Sequence, residues 1–186
     1  MATPSAPPSV IDNRREQTFP VLTAAEIARL RRFGKANTFK AGDYLMKNGE
    51  PVPGMFLVLS GRVDVTQHSP QRLIVSNTPG MFLGELAQLS GRPALVDARA
   101  EEDVEALLIP TSRLRSLLVE EADLGERIMR SLILRRVGLL ETGAGGPVIV
   151  GRAGQGAVLR LENFLSRNGH PFQHLDPASD VSAKAL

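Results

Sequence analysis

The spacing of apolar residues changes along the chain, and each change predicts a different kind of structure. Between residues 23 and 33, apolar side chains recur at three-residue steps, at Ile27, Leu30 and Phe33. This period is typical of a helix with one buried stripe. Thr23 and Glu26 have the spacing of a capping box, so we expect the helix to begin after Thr23. Gly34 is expected to end it.

From residue 36 to residue 110 the period is two. Short runs rich in Val, Leu, Phe and Ile alternate with Gly, Pro, Asn or Asp at intervals of roughly eight to twelve residues, as in sandwiches and barrels. The predicted strands are residues 38–40, 44–47, 55–60, 62–67, 72–77, 95–100 and 104–109. We therefore predict a mainly β fold, an antiparallel β-roll or jelly roll with flanking helices.

Helical spacing returns after Pro110. Thr111 is predicted to cap a helix that carries Leu114, Leu117 and Leu118, and a longer amphipathic helix follows over residues 122–140. The apolar face of the longer helix comprises Leu124, Ile128, Leu132, Leu139 and Leu140. Such a face either packs on its own domain or pairs with a second copy in a homodimer, and both alternatives stay open.

Arginine pairs are scattered along the chain, at residues 14–15, 31–32 and 135–136. We expect these pairs on solvated helix faces, because no basic run of the kind found in nucleic-acid-binding proteins accompanies them. The formal net charge is only +2, from 22 basic and 20 acidic residues. We therefore expect no nucleic-acid partner.

Composition sets the outer segments apart from the roll. Residues 1–20 are rich in Pro and Ser and are predicted to be disordered, and residues 142–147 are a Gly-rich linker. The roll domain is therefore expected to span residues 21–141. In residues 148–186, an apolar strand at 147–151, a helix at 157–168 and a strand at 172–175 predict a short βαβ unit.

Several chemistries are disfavoured by what the chain contains. It has no Cys, which leaves no disulfide, thiolate ligand or cysteine nucleophile, and its three His residues are too scattered to predict a metal site. We predict no catalytic residue, no metal and no covalently bound cofactor. The first ten residues do not resemble a signal peptide, and no run approaches the ~18 apolar residues of a membrane helix. A cytoplasmic protein without membrane contact is expected.

The motif with the most chemical content is Phe82-Leu83-Gly84-Glu85-Leu86-Ala87, followed by Gly91-Arg92-Pro93-Ala94-Leu95-Val96. Together with Phe39-Lys40-Ala41-Gly42-Asp43 and the glycine-punctuated run at residues 55–61, it resembles the cyclic-nucleotide-binding domain family. That family includes bacterial catabolite activators and protein-kinase regulatory subunits. The resemblance implies a regulatory β-roll that binds cyclic AMP or cyclic GMP through a phosphate-binding cassette.

The resemblance also implies roles for individual residues. Gly84 would let the ligand approach the backbone, Glu85 would accept the ribose 2′-hydroxyl, and the backbone amides of Leu86 and Ala87 would face the cyclic phosphate. The arginine that clamps the phosphate in this family falls on Ala94, and the small hydroxyl residue after it falls on Leu95.

Two side chains that contact the phosphate are therefore missing together. Arg92 lies two residues before Ala94 and is the alternative cation, unless it is only an exposed loop residue. The candidate ligand site, read from the sequence, comprises Gly84, Glu85, Leu86, Ala87, Arg92, Ala94 and Leu95. We expect a degenerate cassette for a small anionic ligand, with a genuine cyclic-nucleotide receptor as the alternative.

The C-terminal unit resembles the opening of a thioredoxin-like module, with Gly154-Gln155-Gly156-Ala157 where that family has its Cys-x-x-Cys pair. The order of roll, linker and βαβ unit is similar to the regulatory part of fused thioredoxin-reductase-like flavoproteins, which implies a reductase module as partner. A dinucleotide fingerprint (Gly151, Ala153, Gly156 and the acidic Asp176) is a weaker alternative for the same residues. A transcription regulator is less expected, because no helix-turn-helix follows the long helix.

Overall fold

The computed structural model describes residues 13–67, 71–84, 93–142 and 147–179. The strands of the roll are β1 (Lys35–Phe39), β2 (Tyr44–Met46), β3 (Gly54–Ser60), β4 (Val63–Gln67), β5 (Arg72–Asn77), β6 (Phe82–Leu83), β7 (Asp97–Ala100) and β8 (Val104–Pro110). Within the described residues they form two four-stranded sheets, in the orders β1-β8-β3-β6 and β2-β7-β4-β5. Every pairing in these two sheets is antiparallel. The predicted antiparallel roll is confirmed.

The helices of this domain are α1 (Arg15–Thr18), α2 (Ala24–Leu30), α3 (Thr111–Glu120) and α4 (Ala122–Thr142), and a 3₁₀ turn over Arg31–Phe33 continues α2. Thr23 caps α2 in a full capping box with Glu26, as predicted. Thr111 does not cap α3, because Pro110 holds the N-cap position and Thr111 is the first helical residue. The helix therefore begins one residue earlier than the sequence predicted.

Alternation along β3 divides the apolar residues between two cores. Phe56 and Val58 point into the roll and contact residues of both sheets, whereas Met55 and Leu57 point outward to the helices. We call the first cluster the roll core and the second the helix core. The helix core also contains Leu30, Phe33, Leu114, Leu117, Leu124, Ile128 and Leu132. The longer helix therefore packs on its own domain through Leu124, Ile128 and Leu132, three residues of the face that the sequence predicted.

The predicted disorder of residues 1–20 is wrong for residues 15–20. Residues 15–18 form α1, Thr18 is fully buried, and Phe19 packs in the roll core. The Thr18 carbonyl accepts hydrogen bonds from Ser131 Oγ at 2.7 Å and Arg135 Nε at 2.9 Å, both on α4. Tertiary contacts with α4 hold this segment in place. The Pro- and Ser-rich composition around it gave no sign of these contacts. Residues 1–12 lie outside the described ranges.

The predicted solvated face for Arg135 and Arg136 is also wrong. Both residues are buried, with Arg135 8% and Arg136 9% exposed. Arg135 faces the roll, whereas Arg136 donates a hydrogen bond to the carbonyl of Gly169 in the C-terminal segment. Two consecutive residues of α4 therefore contact different parts of the chain.

The C-terminal segment forms β9 (Val148–Val150), α5 (Gly156–Arg167) and β10 (Gln173–Leu175). The two strands pair in parallel, with Val148 opposite Gln173 and Val150 opposite Leu175. The predicted βαβ connection is confirmed, and its likeness to thioredoxin stays a prediction. The long helix α4 runs past residue 140 to Thr142, and residues 143–146 of the predicted linker lie outside the described ranges.

An arginine of α2 links this helix to the start of α4. Arg29 Nε donates to Glu121 at 2.9 Å, and its Nη1 donates to Asp123 at 2.9 Å. The hydrogen bonds from Arg29 lower the pKa of Asp123 to about 2. Because this pKa is lowered on folding, the stabilising contribution is present above about pH 4 and is lost as the pH falls towards 2.

We expect Arg29→Gln to lower the melting temperature at pH 6 and to have a smaller effect at pH 2, where the Asp123 carboxyl is partly protonated in the folded wild-type protein. Thermal unfolding followed by circular dichroism between pH 2 and pH 6 measures this difference. Arg31→Gln, on the exposed side of the same segment, is the control and should give a difference independent of pH. A difference for Arg29→Gln that stays constant across this range would contradict the assignment.

Candidate functional site

Strand β6 lies directly before Gly84, the first of the candidate ligand-site residues. Phe82 and Leu83 are almost fully buried, and they pair with Leu57 and Phe56 of β3. Gly84 follows with a φ of 146°, a conformation that residues with a Cβ rarely adopt. Glu85, Leu86, Ala87 and Arg92 lie outside the described residues, so their predicted roles stay predictions.

The far end of the cassette is held by main-chain hydrogen bonds. Ala94 N–H donates to the Glu50 carbonyl at 2.9 Å, and Gly49 N–H donates to the Ala94 carbonyl at 2.8 Å. The Ala94 side chain is 6% exposed, and Leu95 packs against the roll core. The position predicted to correspond to the family's arginine therefore lies in a segment held by main-chain hydrogen bonds, with a methyl group as its side chain.

A cavity of about 50 Å³ lies in the roll, next to Gly84. Its lining includes Val65 and Val75 of the second sheet, Val96 just before β7, and Leu139 of α4. The only charged residue in the described lining is Arg135, and Asn77 adds an amide. The structure therefore brings Gly84 together with Arg135, a residue that sequence reasoning assigned to the solvent.

The Arg135 guanidinium is held by carbonyl oxygens and aromatic rings. Its Nη1 donates to the carbonyls of Phe82 at 2.7 Å and Gly84 at 3.0 Å, in addition to the bond from Nε to Thr18. The guanidinium carbon lies 4.6 Å from the centre of the Phe82 ring and 5.0 Å from that of Phe19. These contacts place a cation between the two cores, directly beside the entry to the cassette.

No carboxylate of the described residues pairs with Arg135, and its Nη2 has no hydrogen-bond partner there. Burial lowers the pKa of Arg135 to about 9, so the side chain is still cationic at neutral pH. Asn77 Oδ1 is likewise buried without a partner among these residues. The cavity wall therefore offers one hydrogen-bond donor that carries charge and one amide group.

Helical spacing in the sequence indicates that Arg135 is buried, although its charge suggests exposure to solvent. Residues 128, 132, 135 and 139 follow the helical spacing of three and four, so Arg135 occupies the gap in the apolar face between Leu132 and Leu139. A charged residue at such a position means either that the apolar face is interrupted there and exposed to solvent, or that the charge is buried. Here it is a buried charge.

The dinucleotide alternative needs a free acidic residue after the second strand. Asp176 instead accepts hydrogen bonds from the backbone N–H of Ala153 at 2.9 Å and of Ala178 at 2.8 Å. These two bonds lower the pKa of Asp176. The Asp176 carboxylate is hydrogen-bonded to the glycine-rich turn at which a pyrophosphate would have to bind. This disfavours the dinucleotide alternative.

The described ranges hold no cluster of three or more His, Asp or Glu side chains with the arrangement of a metal site. Over the same ranges, no helix combines the length and the apolar character needed to cross a bilayer.

The family profile described as "Cyclic nucleotide-binding domain" matches residues 36–121. Residues 36–121 are therefore similar to a cyclic nucleotide-binding domain, over slightly less than half of the chain. This segment runs from β1 to the start of α4 and includes both sheets, Gly84 and Ala94. This match supports the predicted resemblance of the roll to that family, and fusion to a reductase stays a prediction.

Known proteins with a similar domain belong to several classes. The cyclic nucleotide-gated potassium channel mll3241 of Mesorhizobium japonicum is 30% identical over 118 residues, which are 63% of this chain and 32% of the channel. The catabolite activator protein of Thermus thermophilus has a TM-score of 0.55 at 22% identity, over 64% of this chain and 57% of that one. The second comparison shows the fold alone.

A second similar structure is described as "A cyclic-GMP-dependent signalling pathway regulates bacterial phytopathogenesis". It is 27% identical with a TM-score of 0.53, and the match covers 61% of this chain and 93% of that one. The chain spans less than half of the length of the first curated relatives that it matches. Each of these similarities therefore concerns only a part of the relative.

Proposed function

We propose that the chain is a non-catalytic regulatory module whose cyclic nucleotide-binding domain senses a small anionic ligand through a degenerate cassette. The observation that supports this most is the cavity beside Gly84, which has Arg135 in its wall while Ala94 stands where the family has an arginine. Similar domains occur in a channel named as cyclic nucleotide-gated and in a kinase regulatory subunit named as cAMP-dependent. Cyclic AMP and cyclic GMP are therefore the first ligands to test.

Helix α4 is the element through which we propose that the ligand acts. Leu139 and Arg135 line the cavity, and the next residue, Arg136, contacts Gly169 of the βαβ unit. A ligand that binds one position of α4 better than another shifts the population towards that position. The βαβ unit would then receive the shift through Arg136.

We further propose that the βαβ unit connects the sensor to a reductase-like module. Its outer surface carries apolar side chains, with Val148 41%, Val150 45% and Phe164 62% exposed. A parallel pair of strands normally belongs to a sheet that is covered on both faces. An α/β module is the kind of partner that completes such a sheet, and this part of the proposal rests also on the resemblance to fused flavoproteins.

The missing arginine sets the expected affinity. Hydrogen bonds to charged groups contribute about 1.5–3 kcal/mol each, and about 1.4 kcal/mol corresponds to a tenfold change in Kd. A cassette without its arginine should therefore bind a cyclic phosphate roughly tens to hundreds of times more weakly than an intact one. Glu85 and the backbone amides of Leu86 and Ala87 would supply the remaining contacts.

We expect Ala94→Arg to raise the affinity for cyclic AMP or cyclic GMP at least tenfold, because it returns a bidentate donor to the position of the family's arginine. Isothermal titration calorimetry of the full chain and the variant measures both dissociation constants. Glu85→Ala should abolish binding in both backgrounds, because the ribose hydroxyl loses its acceptor.

Ala153→Arg is the matched control for added charge, since this alanine is exposed in the C-terminal unit. It should leave the affinity unchanged. If Ala94→Arg stays folded and gives no gain, the assignment of Ala94 to the arginine position is wrong. If the wild-type chain binds neither nucleotide, cyclic nucleotides are not its ligands.

A further inference from the structure

Arg135 is a buried cation in the wall of an apolar cavity. It is 8% exposed, its only partners among the described residues are backbone carbonyls and aromatic rings, and no acidic side chain contributes to the described lining. A charge removed from water is costly unless an opposite charge or strong hydrogen bonds compensate it. The three carbonyls satisfy part of the guanidinium and leave Nη2 unsatisfied.

From this geometry we infer that Arg135 is the residue that binds the anionic group of the ligand, in place of the missing cassette arginine. The inference rests on the proposed function, because it concerns the same cavity. It adds the residue that recognises the ligand and the chemistry of the group recognised. That group is a cyclic phosphate or a carboxylate carried by a largely apolar body.

The other walls of the cavity determine what surrounds this anionic group. Val65, Val75 and Val96 present only hydrocarbon, and Asn77 offers one amide for a polar edge. A ligand suited to this wall has an apolar or aromatic body, a single anionic group and few other polar atoms. Arg135 Nη2 is able to donate a hydrogen bond to such a group while Nη1 keeps its existing hydrogen bonds.

The size of the cavity links binding to movement of α4. A volume of about 50 Å³ holds only a few water-sized groups, so a nucleotide or an aromatic acid requires the cavity to widen. Arg135 and Leu139 both belong to α4, and Arg135 also binds the Thr18 carbonyl of α1. An anion that pairs with Arg135 therefore acts directly on the helix that we propose as the output.

The test is a titration of the full chain and its variants with four probes. Cyclic AMP and cyclic GMP carry the cyclic phosphate, phenylacetate carries a carboxylate on an apolar ring, and phenylacetamide is its neutral counterpart. We expect Arg135→Met to weaken binding of the anionic probe at least tenfold and to remove the preference for phenylacetate over phenylacetamide. Arg135→Lys should keep part of both, because the charge remains.

Arg130→Met is the matched control. Arg130 lies on the exposed side of the same helix, where it pairs with Glu126 at 2.5 Å, so its loss should not change any of the four affinities. Circular dichroism and thermal unfolding establish whether each variant is folded. The comparison of phenylacetate with phenylacetamide on the wild-type chain needs no variant and keeps the test decisive if Arg135→Met does not fold.

The outcomes separate this inference from the proposed function. Cyclic-nucleotide binding that Arg135→Met weakens supports both, with the cyclic phosphate as the anionic group. Preference for phenylacetate, lost in Arg135→Met and without nucleotide binding, supports the inference and overturns the nucleotide as ligand. Nucleotide binding that Arg135→Met leaves unchanged overturns the inference alone. A wild-type chain that binds neither cyclic nucleotide and does not prefer phenylacetate overturns both.

Discussion

Replacement of Phe82 by alanine is expected to lower the free energy of unfolding by about 3–5 kcal/mol, the range for a large aromatic residue removed from a core. Phe82 is fully buried among the helix-core residues and lies one strand position before Leu83, which belongs to the roll core. Its ring also lies 4.6 Å from the Arg135 guanidinium carbon. The substitution therefore leaves a cavity and removes one of the two rings that contact a buried cation.

Urea unfolding followed by circular dichroism measures this loss as a fall in the midpoint at constant m-value. Phe164→Ala is the control, because Phe164 is 62% exposed on α5 and its loss should change the free energy of unfolding by no more than about 0.5 kcal/mol. Equal effects of the two substitutions would show that Phe82 does not connect the cores as the structure describes.

Most strands of the roll were predictable because their apolar period is clear and turn residues bound them. The exception is β6, which consists only of Phe82 and Leu83. Two residues are too short for any period, and this strand exists because its pairing with β3 closes the end of the first sheet. The same residues were recognisable as part of the cassette motif, so the sequence identified their place in the family but not their secondary structure.

The candidate site was predictable only in part, for a different reason. Gly84 and Ala94 follow from a motif that is local in sequence, and the structure describes both. Arg135 comes from a helix about fifty residues further along, and it reaches the cassette only through tertiary packing, where its Nη1 binds the Gly84 carbonyl. Helical spacing shows that Arg135 lies in register with apolar residues, but it does not show which surface that face covers.

Burial of Arg135 also explains why Thr18 is ordered. The Thr18 carbonyl accepts from both Ser131 and Arg135, so α1 is anchored by two polar groups of α4 in addition to Phe19 in the roll core. Composition near the start of the chain describes only local preference, and it predicts disorder there. The long-range hydrogen bonds outweigh the local preference for disorder. An ordered Thr18 carbonyl satisfies part of the hydrogen-bonding capacity of the buried guanidinium.

The second prediction with a large expected effect concerns two glycines that have the same φ. Gly49 and Gly61 both have a φ of 79°, in the left-handed region. An alanine Cβ at residue 61 would lie 2.4 Å from the carbonyl oxygen of Asp103 and 2.9 Å from Val104 Cγ2, whereas at residue 49 it would meet no atom within 4 Å. The pair therefore separates the cost of the backbone conformation from the cost of a steric clash.

We expect Gly49→Ala to lower the free energy of unfolding by about 1–2 kcal/mol, the cost of the left-handed conformation alone. Gly61→Ala should lower it by about 4 kcal/mol or more, because the Asp103 carbonyl belongs to the backbone just before β8 and cannot move aside without disturbing the first sheet. Urea unfolding of both variants measures the difference. Equal losses would mean that the turn after β3 relaxes freely, and the close approach of residues 61 and 103 would then not constrain the roll.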